Sequence, residues 1–247
     1  MNSNFHSVGQ NLFKLISVLK NGIVSERYSE NIPSYSRNFG GYNGNDFISL
    51  SKYGTPSFKL YSQTGFSLMV SPELFCIDAN KTNHDSGIPG EVFCRGVISR
   101  EYLQAIICPE NLIDLQIKDL KIMRDIGFGF ADSIARNILE QMGIEEDSKE
   151  RQKIELLIKE KGNPPEGLGF LERIDYEKKY ISKIDAELAE MIHIFFSQKL
   201  NKEDVTVRDI MYKVAEKYNI PVFLLDKNDK MVLCYQSQSN ESNQEEQ

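Results

Sequence analysis

The sequence predicts an α+β protein in which a compact sheet domain is followed by a mostly helical region. Up to about residue 117, short β-prone runs rich in Gly, Ser, Asn, Tyr and Phe alternate with polar turns. Beyond residue 120, Lys, Glu, Ile and Leu dominate at helical spacing. We therefore predict a sheet domain at 1–118, a helical region with a short terminal hairpin at 119–236, and a disordered tail at 237–247, which has no apolar residue.

The first domain opens with a short strand and an amphipathic helix. The strand covers 4–8, and the helix ends at Gly22, a residue type that commonly stops helices. The apolar stripe of this helix consists of Leu12, Leu15, Ile16 and Leu19. The following segment, 25–45, shows no strand or helix period, so we predict a long loop, which at this length is usually functional or disordered.

The remaining elements follow from the same rules of periodicity and turn composition. The predicted strands are 46–51, 57–61, 65–70, 74–77, 91–98 and 103–108, with a second polar loop at 78–90. The predicted helices are 128–142, 148–161, 175–200 and 206–218. The runs 222–225 and 231–235 flank a polar turn and predict a terminal hairpin. The sequence leaves the order of the strands open.

Composition and charge exclude several classes of function. The chain has 36 Asp and Glu against 29 Lys and Arg, which gives a net charge of −7. Such a chain is a poor non-specific binder of nucleic acid or anionic membranes, because phosphate affinity comes from clustered Lys and Arg. No apolar run is long enough to span a membrane. The four cysteines form no C-x-x-C and lie at no metal-ligand spacing to a histidine, so we expect reduced thiols and no metal site.

Three short segments of the first domain carry residue types suited to chemistry. The first strand contains His6 and Ser7, just before the amphipathic helix. A later strand reads Ile-Ser-Leu-Ser-Lys-Tyr and ends at Tyr53. Glu91 is a lone acidic residue at the start of an apolar strand. A carboxylate in such a position can hold a sugar hydroxyl, stabilise a developing positive charge or deprotonate a nucleophile.

The order and spacing of these segments resemble the ADP-ribosyltransferase superfamily, and within it the DarT-type bacterial toxins that modify DNA bases. That family opens with an aromatic-His-(Ser/Thr/Gly) strand and a helix that ends in a Gly-Ile-like turn. A strand with Ser and an aromatic residue follows, and the catalytic Glu begins a later strand. The resemblance covers roughly residues 4–110. It implies an ADP-ribosyltransferase-like sheet domain and NAD as the cofactor.

The resemblance also implies a role for each matched residue. Glu91 would be the catalytic carboxylate, which stabilises the oxocarbenium-like transition state formed as nicotinamide leaves the ribose. His6 and Ser7 would hold ribose hydroxyls and the nicotinamide amide, with Ser49 as a further NAD-binding residue. Tyr53 would stack on the nicotinamide ring.

The loop after the first helix supplies a candidate for the pyrophosphate of NAD. Arg37 would pair with it bidentately, and Arg27 is the alternative. No Gly-x-Gly-x-x-Gly follows a strand, so a Rossmann mode of binding is not indicated. The leading hypothesis is a toxin or effector that modifies a macromolecular acceptor. Whether the acceptor is protein or nucleic acid, or a small molecule instead, stays open.

A second interpretation of the same residues also stays open. Glu91 could be an exposed residue at a strand entrance, and His6 could be a hydrogen-bonded structural histidine. The chain would then be a non-catalytic interaction protein, in which a degenerate transferase-like scaffold carries C-terminal helices that bind a protein partner. We expect the protein in the cytoplasm, or delivered into a host or target cell without a classical signal peptide.

Overall fold

A computed structural model of the chain describes residues 3–24, 47–78, 88–122, 131–161 and 165–236. The loop predicted at 25–45, with Arg27 and Arg37, lies outside these residues, and so does the predicted tail. The chain divides into two compact units. The first unit takes the described parts of Met1–Gly9, Lys14–Asp114 and Thr206–Gln247, and the second takes those of Gln10–Phe13 and Leu115–Val205.

A mostly antiparallel sheet forms the frame of the first unit. The described strands, in chain order, are β1 (Asn4–Gly9), β2 (Ile23–Val24), β3 (Phe47–Lys52), β4 (Phe66–Val70), β5 (Ile77–Asp78), β6 (Glu91–Arg95), β7 (Val97–Ile98), β8 (Leu103–Pro109), β9 (Val222–Leu225) and β10 (Met231–Tyr235). Eight of these form one sheet in the order β10-β9-β8-β4-β1-β3-β6-β5, while β2 pairs with β7. Only β8 and β9 run parallel among the pairs that the structure describes.

Helices accompany the sheet and make up most of the second unit. The described α-helices are α1 (Leu12–Asn21), α2 (Pro56–Ser62), α3 (Glu110–Ile113), α4 (Ala131–Gln141), α5 (Lys149–Lys161), α6 (Phe170–Leu200) and α7 (Val207–Tyr218). A largely antiparallel sheet together with these helices is an α+β architecture, which confirms the predicted fold class. None of the helices in the described ranges is both long and apolar enough to cross a membrane.

The predicted strand at 57–61 is wrong, because this segment forms helix α2. The Thr55 side chain accepts a hydrogen bond from the Phe58 backbone N–H, and Pro56 begins the helix, where its fixed φ and missing N–H cost nothing. Both are start signals of a helix. A short run with two aromatic residues can form a strand or a helix. Here the Thr55 cap favours the helix.

Two other predicted strands are shorter or divided in the structure. The run 74–77 contributes only β5, because the chain first makes a turn in which the Leu74 N–H donates to the Ser71 carbonyl. The run 91–98 is interrupted at Gly96, whose φ of +83° separates β6 from β7. The other predicted strands and helices occur with shifted ends, the largest shift being the earlier start of α6 at Phe170.

The C-terminal hairpin belongs to the large sheet and not to the helical unit. Strand β9 pairs with β8 in parallel, with Ile106 opposite Val222, and β10 adds to its other edge. Val222 and Leu225 are fully buried there. The structure therefore groups 206–236 with the sheet, whereas the sequence placed this segment in the helical region, because the hairpin buries its apolar side chains most fully on an existing strand edge.

The core on one face of the sheet forms around α2 and the hairpin. Its buried residues are Phe5, Phe58, Ala105, Ile107 and Leu225. The turn of the hairpin is fastened to the same region, since Gln63 donates to the Asp226 carbonyl over 2.7 Å and to the Asp229 carboxylate over 2.8 Å. Helix α2 is thus held by core packing of Phe58 and by the hydrogen bonds of Gln63 to the hairpin turn.

In the second unit, α4, α5 and α6 pack against one another. Arg136 in α4 makes a bidentate ion pair with Glu155 in α5, with distances of 2.9 and 3.1 Å. The ring of Phe13 lies 5.9 Å from that of Phe195 and 5.7 Å from that of Phe196 near the end of α6. These contacts hold a helical unit of its own.

Candidate functional site

The three strands that carry the sequence motifs lie side by side in the sheet, in the order β1, β3, β6. Phe5 of β1 is opposite Ser51 of β3, and Ser51 is in turn opposite Glu91 of β6. Directly opposed residues of neighbouring strands point to the same face of a sheet. Ser49 lies two residues from Ser51, so Ser49 and Glu91 also share that face.

Glu91 is a buried residue, with 7% of its surface exposed, so its assignment as an exposed strand-entrance residue is wrong. The hydroxyl of Ser49 donates a hydrogen bond to Oε1 of Glu91. The other carboxylate oxygen, Oε2, is buried and has no hydrogen-bond partner among the described residues. A buried carboxylate oxygen without a donor is rare in proteins, because its desolvation is costly. Such an oxygen can accept a hydrogen bond from a ligand hydroxyl.

His6 reaches the same two strands from β1. Its Nδ1 lies 3.2 Å from the Ser49 carbonyl oxygen, and 2% of the residue is exposed. Since a carbonyl can only accept, Nδ1 carries the hydrogen, and Nε2 of the neutral ring is an acceptor. Ser49 therefore contacts His6 through its backbone and Glu91 through its side chain.

Burial keeps His6 neutral. The loss of hydration and, to a smaller extent, the positive charge of Lys14 in α1 together lower the pKa of the imidazole to about 3, against the opposite effect of the Ser49 carbonyl. Burial also lowers the pKa of Lys14, to about 8. A neutral imidazole at physiological pH can orient a hydroxyl but carries no charge of its own.

The pairing of β1 with β3 ends close to His6. The register joins Asn4 to Lys52 and Phe5 to Ser51, and after Phe5 strand β1 continues beside β4 while β3 continues beside β6. By strand alternation, the His6 side chain starts from the face opposite Glu91. Beyond Phe5, no hydrogen bonds of the described pairing between β1 and β3 occupy the Ser49 carbonyl. The His6 ring can therefore form a hydrogen bond with that carbonyl. The candidate site lies at this divergence.

Helix α2 stands next to Glu91 because two turns fix its start. Gly90 has a φ of +91°, and a Cβ on it would lie 2.2 Å from the Thr55 side chain, so only glycine fits. The Lys52 N–H donates to the Gly90 carbonyl, and the Ser57 N–H donates to the Pro89 carbonyl. The start of β6 is therefore held directly against the first turn of α2.

This position of α2 adds a residue that the sequence analysis missed. Burial raises the pKa of the Tyr61 hydroxyl at the end of α2, and the negative charge of Glu91 raises it further, so the two side chains interact electrostatically. Tyr61 is 36% exposed. Its signal in the sequence is the helix start at Thr55 and Pro56, directly before the segment 57–61 that is predicted as a strand.

The other predicted site residues are placed differently. The Ser7 hydroxyl accepts a hydrogen bond from the nearby Gly9 N–H, at 3.4 Å. Tyr53 packs its ring against Phe58, with centroids 5.1 Å apart, and donates its hydroxyl to the Asp229 carbonyl over 2.6 Å. Tyr53 thus has core contacts on its ring and its hydroxyl. The structure brings together His6, Ser49 and Glu91, while Arg37 lies outside the described residues.

Comparisons with known proteins give no relative for this arrangement. No protein-family model matches the chain, and neither a curated protein nor a solved structure matches it. The class of the site therefore rests on its own geometry and on the sequence motifs.

Proposed function

We propose that the protein is an NAD-dependent ADP-ribosyltransferase that modifies a macromolecular acceptor. The observation that best supports this function is the carboxylate of Glu91, which is buried, held through Oε1 by Ser49, and has no partner for Oε2 in the described part of the chain. The three strands with the transferase-like motifs are neighbours in the sheet, and Ser49 on the middle strand contacts both His6 and Glu91.

The ADP-ribosyl transfer reaction can use the unpartnered oxygen of Glu91 in substrate binding. Oε2 would accept a hydrogen bond from a ribose hydroxyl of NAD. As the bond from ribose C1′ to the nicotinamide nitrogen breaks, its electron pair leaves with nicotinamide, and the negative carboxylate stabilises the positive charge that develops on the ribose. A nucleophile of the acceptor then forms the new bond to C1′, and its proton passes to Glu91 or to water.

The neighbouring residues would position the substrate. Nε2 of neutral His6 can accept from a second ribose hydroxyl, since Nδ1 is engaged by Ser49. Tyr61, whose hydroxyl interacts electrostatically with Glu91, replaces Tyr53 as the candidate to stack on nicotinamide, because the ring of Tyr53 already packs against Phe58. The positive charge of Lys14, which acts on His6, would attract the diphosphate of NAD.

The decisive experiment replaces one carboxylate oxygen. Glu91→Gln keeps the shape of the side chain but removes the charge, so we expect NAD binding within a few-fold of wild type and nicotinamide release slower by at least about 100-fold. Release is measured with purified protein, with and without cell extract as a source of acceptors. Glu101→Gln, at an exposed carboxylate of the same unit, is the matched control and should release nicotinamide at the wild-type rate.

A binding measurement distinguishes the transferase from a non-catalytic interaction protein. NAD that binds only the folded protein raises its Tm by mass action, and His6→Ala should reduce that rise. Equal release by wild type and Glu91→Gln would remove Glu91 from catalysis. If NAD gives neither a Tm rise nor turnover, the protein is a non-catalytic interaction protein with a transferase-like scaffold.

A further inference from the structure

Two cysteines face each other at the edge of the large sheet. Strands β5 and β6 pair with Ile77 opposite Phe93 and Asp78 opposite Val92. Cys76 directly precedes Ile77 and Cys94 directly follows Phe93, so a one-step continuation of the register would set the two cysteines opposite each other. Directly opposed residues of an antiparallel pair have Cα atoms about 4.5–5.5 Å apart, and disulfides need roughly 4.4–6.8 Å. A continued register would therefore give Cys76 and Cys94 the Cα spacing of a disulfide.

The two side chains also point to the same face and meet there. The Cys76 thiol donates a hydrogen bond to Cys94, which lowers the pKa of the Cys94 thiol and raises that of Cys76. The amide nitrogen of Asn4 donates to the Cys76 sulfur over 3.5 Å. Cys94 lies three residues after Glu91 on β6, and residues an odd number of positions apart on a strand point to opposite faces. The thiol pair therefore lies on the face opposite the carboxylate.

Access differs between the two thiols. Cys76 is partly exposed, whereas Cys94 is buried, and both are free in the structure. A small disulfide such as oxidised glutathione can therefore reach Cys76 from solution. The buried Cys94 thiol is adjacent to Cys76 and can then react with it. An accessible cysteine next to a second, resolving cysteine is the arrangement that closure of a disulfide by thiol–disulfide exchange requires.

We infer that Cys76 and Cys94 form a reversible disulfide, a modification site that joins the short edge strand β5 to the strand that begins with Glu91. The inference is independent of NAD and of the proposed transferase activity.

The oxidation balances with oxidised glutathione as the oxidant. The Cys76 sulfur, after giving up its proton, attacks the glutathione disulfide, forms a mixed disulfide and releases one glutathione thiolate. The Cys94 thiolate then attacks the Cys76 sulfur, forms the protein disulfide and releases the second glutathione. Two protein thiols are oxidised, one glutathione disulfide is reduced to two thiols, and the two protons from the cysteines go to the released thiolates.

The test equilibrates the reduced, full-length protein with increasing ratios of oxidised to reduced glutathione. Free thiols are then alkylated in denaturant, and the products are identified by intact mass and peptide mapping. We expect a species that has lost two hydrogens, contains a peptide joining Cys76 to Cys94, and carries alkyl groups on Cys108 and Cys234. Cys234→Ser, at the other partly exposed cysteine, is the matched control and should keep this cross-link.

Two variants separate the steps. Cys94→Ser should accumulate glutathione on Cys76, because the resolving thiol is gone. Cys76→Ser should lose the cross-link and leave Cys94 unmodified, because solvent does not reach it. The wild-type map decides the matter even where a variant folds poorly. A first cross-link between any other pair of cysteines, or a wild-type product that stops at a glutathione adduct, would overturn the inference.

Discussion

Two ends of one row across the large sheet differ in chemistry although both are buried. The row runs through Glu91, Ser51, Phe5, Met69 and Ala105, each opposite the next on a neighbouring strand. Ala105 belongs to the apolar core, whereas Glu91 and Ser51 bury a charge and a hydroxyl. Burial of apolar groups stabilises a fold, and burial of polar groups does so only when each finds a partner.

The polar end satisfies most, but not all, of its groups. The Ser51 hydroxyl bonds to that of Ser57 over 2.8 Å, and the Ser49 hydroxyl bonds to Glu91. Oε2 of Glu91 remains without a described partner. The apolar end therefore supplies stability, whereas the polar end loses some stability because it buries an acceptor without a described donor. The first two predictions below each change one end and measure the stability that is lost, and the last concerns His6, which bonds to Ser49 next to the polar end.

The largest expected effect on stability comes from the apolar end. Ile107 lies on the same face as Ala105, belongs to the same core and is fully buried, opposite Ser67 of β4 and Phe223 of β9. Ile107→Ala should lower the free energy of unfolding by about 3.5 kcal/mol, because it removes buried methyl groups and leaves a cavity. Chemical denaturation measures the change. Val232→Ala, at a valine that is 51% exposed, should cost only about 0.5 kcal/mol. Equal losses for the two variants would contradict the apolar end as the source of stability.

The next effect concerns the hydroxyl pair of the polar end. Ser57→Ala leaves the buried Ser51 hydroxyl without its partner and should cost about 2 kcal/mol of unfolding free energy. Ser51→Ala together with Ser57→Ala removes both groups, and we expect the double variant to lose less than the sum of the single changes. Strict additivity would show that the two hydroxyls do not depend on each other.

The smallest effect is a dependence of stability on pH that comes from His6. Its pKa is about 3 in the folded protein and about 6.5 when unfolded, so the unfolded state binds the proton first as the pH falls. The contribution of neutral His6 is therefore complete above pH 6.5 and is lost progressively towards pH 3. Between pH 7.5 and 5.5 the free energy of unfolding should fall by about 1.4 kcal/mol on account of this residue.

A variant without the ring isolates that contribution. His6→Asn keeps a polar side chain but cannot titrate. The unfolding free energy of wild type minus that of the variant should therefore fall by about 1.4 kcal/mol from pH 7.5 to pH 5.5. Denaturation curves at the two pH values give both quantities. A difference that does not change with pH would mean that His6 is not held neutral by burial.

The local elements were largely readable from sequence, since they depend on neighbours in the chain. The helix that ends at Gly22 and the hairpin at 222–225 and 231–235 occur as predicted, because apolar periodicity and turn residues specify them. The segment 57–61 was misread, because its aromatic residues suit a strand and its Thr-Pro start suits a helix. Short segments with two local signals are decided by what they pack against.

Residue types and local periodicity indicated which residues could carry chemistry and, apart from 57–61, which segments form strands or helices. The packing of distant segments decided that β1, β3 and β6 are neighbours, that Tyr53 packs in the core and that Tyr61 interacts electrostatically with Glu91. It also decided that the hairpin completes the sheet. The physical reason is that burial and the pairing of strands depend on residues far apart in the chain, whereas periodicity, caps and turns depend on residues a few positions away.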